Sequence, residues 1–222
     1  MTLAVGESVV ILIDHQRIEA DLEVPENASG LVIFAHGSGS SRFSSRNIAV
    51  AEALQQRGFG TLLLDLLTRE EEAVDRETQE HRFDVERLAQ RVTAATDWMR
   101  HRQDLRPLPI GYFGASTGAA AALIAAAIRP GVVRAVVSRG GRSDLAAGAL
   151  PKVVAPTLLI VGGYDEQVLA LNRRAMNMMS AAHVELEVVP GATHLFEETG
   201  TLEEVERLAA DWFTTYLTEQ RD

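Results

Sequence analysis

The chain has 222 residues, of which 46% are hydrophobic and 23% charged, enough for one compact domain with a sizeable core and unlike a disordered chain. Its 21 basic and 31 acidic residues leave a net charge of −10, which speaks against a nucleic-acid or anionic-membrane binder, because phosphate contacts need surplus Lys and Arg. With no cysteine, disulfides, Cys-ligated zinc, iron–sulfur clusters and thiol nucleophiles are all excluded.

In chain order, residues 1–7 have neither a basic opening nor an apolar signal core, and no later apolar run approaches a bilayer span. The expectation is a cytoplasmic protein. Residues 8–13 and 17–24 read as two strands around Asp14-His15. Short apolar runs then alternate with helical patterns. Buried strands are expected at 31–35, 60–66, 110–115, 132–137, 157–161 and 184–189. Helices are expected at 45–57, 84–102, 117–129, 144–150 (short), 167–179 and 202–218, with the charged stretch 68–82 an exposed loop or loose helix.

Two helix starts carry capping signals. Asp84 can cap the middle helix, with Phe83 and Leu88 placed as a hydrophobic staple; Thr201 can cap the last one, with Glu204 completing a capping box. Strand–helix alternation with continuously apolar strands predicts an α/β fold: one domain over residues 1–222, a mostly parallel sheet with helices on both faces. Only about twenty residues join the strand at 132–137 to Thr157, which leaves no room for a large cap domain. Ligands of such sheets bind beyond the carboxyl ends of the strands, so reactive residues just after a strand matter most.

Cofactor signals are missing. Lys152 is the only lysine and lies in Leu150-Pro151-Lys152-Val153, so no Walker A loop is present; there is no Gly-x-Gly-x-x-Gly after a strand and no His-Glu-x-x-His. Cofactor-free, metal-free chemistry on a small molecule is expected. Gly114-Ala115-Ser116-Thr117-Gly118 joins a strand to an alanine-rich helix. Alone the pattern is weak, but a serine on such a turn is exposed by strained backbone and small neighbours. The plain alternative is a glycine-rich turn with an idle serine.

A serine nucleophile needs a base. His15, His81, His101 and His183 read as solvated surface residues, and His36 as a hydrogen-bonded structural one. His194 follows the strand at 184–189 through Pro190-Gly191-Ala192-Thr193 and so lies on the carboxyl side of the sheet. Asp165, just past the strand at 157–161, can orient it; Asp144, Glu166, Glu197 and Glu198 are rivals without both the placement and the order. The backbone N–H of Thr117 and that of Ser38, with Gly39 as fallback, are the candidate oxyanion donors. Gly37, Gly39, Arg42 and Arg139 are candidate substrate contacts, with Arg142 nearby. Arginine suits an anionic substrate group, although solvated surface arginines are the plainer alternative.

His36-Gly37-Ser38-Gly39-Ser40, Gly-Ala-Ser116-Thr-Gly, Val-Gly-Gly-Tyr-Asp165 and Gly-Ala-Thr-His194-Leu-Phe together resemble the compact α/β-hydrolases of the dienelactone hydrolase type, over residues 31–216. The resemblance implies a serine- or cysteine-dependent hydrolase with nucleophile Ser116, acid Asp165 and base His194. Dienelactone hydrolases proper use a cysteine, whereas this chain has serine there, so a serine esterase acting on short acyl esters is the better carry-over. A thioesterase, peptidase, cofactor-free perhydrolase or non-catalytic binding module of the same fold remain as alternatives.

Overall fold

A computed structural model describes residues 5–13 and 15–218. Residues 1–4, part of the stretch expected to carry no signal core, and Asp14, which falls between the first two expected strands, lie outside the described residues. β1 (Val5–Ile13) and β2 (Gln16–Val24) form an antiparallel hairpin. β3 (Gly30–Ala35), β4 (Phe59–Leu64), β5 (Ile110–Ala115), β6 (Val133–Arg139), β7 (Thr157–Gly162) and β8 (Val184–Val189) are mutually parallel, and β2 joins them antiparallel to β4. The sheet runs β1-β2-β4-β3-β5-β6-β7-β8.

Alternation along the pleat sends side chains to two cores. In β3, Leu31, Ile33 and Ala35 face one, Val32 and Phe34 the other. α1 (Ser45–Gln56) and α6 (Thr201–Thr218) cover the second through Val50, Leu54, Val205, Trp212 and Phe213. α3 (Val85–His101), α4 (Thr117–Ile128) and part of α5 (Glu166–Met178) cover the first. After β3 the chain crosses to β4 on one side, and after β5 to β6 on the other. That reversal opens a crevice between the carboxyl ends of β3 and β5.

Several element ends differ from the sequence expectation for physical reasons. β4 stops at Leu64 because the Leu66 N–H donates to His36 Nε2 at 3.0 Å instead of to a ladder. β6 runs on to Arg139, since Ser138 and Arg139 still pair with Gly114 and Ala115 whatever their side chains. The short helix is two 3₁₀ turns, Ser143–Ala146 and Leu150–Lys152. The stretch 68–82 is neither loop nor loose: α2 (Arg69–Thr78) starts with a capping box between Thr68 and Glu71. Buried Asp75 then accepts hydrogen bonds from the His81 N–H, the Arg82 N–H and Arg82 Nε at 2.8–2.9 Å. Burial works against its charge, but those bonds outweigh it and hold its carboxyl below the usual range.

Asp84 caps α3 as expected, accepting from the Arg87 N–H at 3.1 Å, and Leu88 is buried, while Phe83 stays half exposed. Thr201 does not cap α6. It is already helical and its hydroxyl donates back to the Glu198 carbonyl at 2.7 Å, while Glu204 pairs with Arg207. Among the described residues, no helix is long and apolar enough to cross a membrane.

Candidate active site

Ser116 sits between β5 and α4 with φ 50° and ψ −120°, a left-handed backbone that an ordinary side chain adopts only under constraint. The constraint is packing. A Cβ on Gly118 would lie 2.2 Å from the Ala35 carbonyl oxygen, so α4 crosses β3 at a separation that only glycine allows. The Ser116 N–H donates to the Arg139 carbonyl (3.2 Å) and its carbonyl accepts from the Arg142 N–H (3.0 Å), which pins the turn from the β6 side. The hydroxyl is left half-buried at the mouth of the crevice.

The other two strand-end residues meet. His194 Nδ1 and Asp165 Oδ2 lie 2.6 Å apart, with the Asp165 side chain 13% exposed and His194 38%. Gly162 makes this approach feasible, because a Cβ there would come within 2.5 Å of the Ala192 carbonyl oxygen. The His194 loop is fastened twice more. Glu198 accepts from Thr193 Oγ1 (2.6 Å) and the Thr193 N–H (3.1 Å), and those bonds lower its pKa; Phe196, at φ 55°, is buried in the α1/α6 core. Three of the four rival acids are engaged elsewhere: Asp144 with Arg142, Glu197 with Arg46, Glu198 with Thr193. Gly140 packs between, and a Cβ on it would sit 3.5 Å from His194 Cε1. Among the described residues, no hydrogen bond joins Ser116 Oγ to the His194 ring.

On the β3 side, Gly37 packs against Ser116, and Gly39 turns the chain with φ 67°. The Ser38 and Thr117 hydroxyls share a hydrogen bond of 2.9 Å, bringing the two candidate oxyanion donors side by side. Thr117 N–H is free because it opens α4, where the helix has no earlier carbonyl to supply. His36 is buried and held at both nitrogens, Nε2 by the Leu66 N–H and Nδ1 by the Gly37 carbonyl at 2.9 Å. An N–H can only donate, so Nε2 accepts and Nδ1 carries the proton. In a trans peptide the C=O and N–H point opposite ways. Fixing the Gly37 carbonyl on His36 therefore also fixes the direction of the Ser38 N–H. A small cavity of about 80 Å³ lies here, lined by Ser38, Gly39, Thr117, Leu66, Leu67 and Arg76. A larger surface groove of about 780 Å³ lies at the amino ends of β5 and β6, the opposite end from Ser116.

The candidate arginines separate. Arg42 is committed to Glu19 (2.7 Å), Asp21 (3.1 Å) and Asp65, with its side chain 13% exposed, so its charge is not free for a substrate. Arg142 is held by Asp144 at 2.8 Å. Arg139 is 8% exposed and has no acidic partner among the described residues; burial, and then the charge of Arg46, lower its pKa to about 10. Sequence reasoning missed the anchoring roles of Phe196, Glu198 and Gly162. Only Gly162, next to Gly163 at a strand end, left a trace in the sequence.

The dienelactone hydrolase family model matches residues 18–217. A crystal structure described as the dienelactone hydrolase from Anabaena variabilis ATCC 29413 superposes with a TM-score of 0.95 at 53% identity, covering 97% of this chain and 100% of that one. Est1E from Butyrivibrio proteoclasticus shares the fold at 16% identity, with a TM-score of 0.78 over 94% of this chain and 98% of its own. Proteins from two Mycobacterium tuberculosis strains, named provisionally as phosphoribosyl transferases, are 56% identical over 211 residues. That match takes in 95% of this chain and 46% of theirs, so the chain spans less than half the length of these curated relatives.

Proposed function

This chain belongs to the dienelactone hydrolase family, and on that premise we propose that it is a serine hydrolase cleaving small carboxylic esters through an acyl-enzyme. The observation that carries the reading is the Asp165–His194 contact of 2.6 Å at the strand ends, in a crevice where Ser116 is held at positive φ. Ser116 Oγ attacks the ester carbonyl while His194 Nε2 takes its proton. The Ser116–His194 hydrogen bond closes with substrate in place, as catalytic hydrogen bonds often do. Asp165 keeps the Nδ1–H tautomer and stabilises the imidazolium. The Thr117 and Ser38 N–H groups receive the developing oxyanion, and the amino end of α4 adds its dipole. His194 then protonates the leaving alcohol, and water activated by the same ring releases the acid.

The transferase activity in the longer relatives' names is not proposed for this chain. A Ser–His–Asp constellation serves acyl transfer and has no part in moving a ribosyl group. Fluorophosphonate labelling, mapped by mass spectrometry, tests the proposal. The expected adduct is at Ser116, and Ser116→Ala loses both labelling and ester turnover, the latter by at least about a thousandfold. An adduct on another serine, or equal turnover by the variant, would defeat it. Thioester, amide and peroxide substrates run beside esters discriminate the related activities.

A further inference from the structure

Arg139 is the last residue of β6, one strand away from Ser116. Val137 and Ala135, two and four residues earlier on the same face, pack in the α1/α6 core with Phe196. The guanidinium therefore extends that core at its carboxyl end, beneath the loop that carries His194. More than nine-tenths buried, it makes no hydrogen bond or ion pair with any described residue, and its Nη1 is enclosed without a partner. The charge that acts on it is that of another cation, Arg46 of α1. Arg46 Nε is likewise enclosed and unpartnered, as is the side-chain oxygen of the next residue, Asn47. The one carboxylate in contact is Glu197, 3.2 Å from Arg46 Nη1 and itself two-thirds exposed.

A guanidinium buried without a counter-charge and with an unmatched donor, in the field of a second cation, is costly unless an anion completes it. We propose that Arg139 and Arg46 form a binding site for a phosphate group, either free phosphate or the monoester end of a small molecule. Guanidinium N–H groups carried on two different elements suit the several oxygens of a tetrahedral dianion better than the single plane of a carboxylate. Asn47 offers an acceptor to a protonated phosphate oxygen. Arg46 is about one-third exposed, so the anion enters along α1 and takes the place of Glu197 on it. The inference does not depend on the ester reading, since it concerns binding and not turnover.

Calorimetric titration near neutral pH with inorganic phosphate, and separately with glycerol 3-phosphate, tests it. The expected result is saturable one-site binding, weakened at least tenfold in Arg139→Gln and also weakened in Arg46→Gln. The tighter of the two ligands tells free phosphate from a monoester. Should Arg139→Gln fail to fold, the partly exposed Arg46→Gln carries the measurement. No saturable binding to the wild-type chain overturns the proposal, as does equal binding by the variants, which would mean that only water fills the space. Binding of succinate without phosphate overturns the assigned class. Failed labelling at Ser116 alongside intact phosphate binding would remove the ester reading and leave this site standing.

Discussion

His36 is a buried group whose protonation state the surroundings dictate. Burial lowers its pKa, outweighing the Gly37 carbonyl and nearby acids that favour the cation. Protonation would also set an Nε2–H against the Leu66 N–H. Below its ordinary value, near 6.5, the unfolded chain takes up a proton that the folded chain refuses. Stability contributed by neutral His36 is therefore complete above about pH 6.5 and declines as pH falls towards the folded pKa. Replacing it with Gln retains an acceptor but cannot titrate. Thermal unfolding should show wild type more stable than His36→Gln at neutral pH, with the gap narrowing as the solution is acidified into the mid-5 range. A gap independent of pH would contradict a neutral His36. The arginines teach a related lesson. Arg42, Arg139 and Arg142 look alike in sequence, yet carboxylate partners hold two of them and the third has none among the described residues. Charge pairing is made by residues distant along the chain, so composition could not sort them.

Among the elements, the β5–α4 junction carries the most constraint. Gly118 places α4 on β3 with no room for a methyl group, because the obstacles are the backbone oxygens of Ala35 and His36 at 2.2 and 2.3 Å. Backbone cannot rotate away as a side chain can. Gly118→Ala should therefore destabilise the fold by about 3 kcal/mol or more in denaturant titration, at the upper end for overpacking. A loss under about 1 kcal/mol would show that helix and strand separate easily. The apolar runs of β3 to β7 were legible in the sequence because strands buried on both faces must be apolar throughout. Their ends were not. β4 and β6 stop where hydrogen-bond partners stop, and Leu66 and Arg139 owe those partners to other strands. Thr201 shows the same for a helix: the S/T-x-x-E pattern was present, but the preceding turn supplied a carbonyl that took the hydroxyl.

Across the molecule, the connection between β6 and β7 holds only two short 3₁₀ turns, and no domain is inserted there to cover Ser116. The bordering element is α2, stapled at its start by Thr68–Glu71 and at its end by Asp75. Beside the candidate oxyanion donors the cavity is small, about 80 Å³. A space of that size suits short acyl groups better than long chains. Esters of acetate or butyrate should be hydrolysed faster than long-chain triglycerides, compared by kcat/KM. The reverse order would mean that α2 moves to expose a larger acyl site.

Local chemistry was enough to locate Ser116, Asp165 and His194 at strand ends in a definite order, because turns, apolar runs and reactive side chains are written next to one another in the chain. It also sufficed for the parallel sheet covered on both faces. Which charges are paired, what engages the rival acids Asp144, Glu197 and Glu198, how the Ser38 amide is aimed and where a buried arginine is left without a counter-ion among the described residues were settled by folding. Those properties depend on atoms brought within a few ångströms from positions tens of residues apart, and electrostatic and steric forces act on that spatial separation, not on distance along the chain.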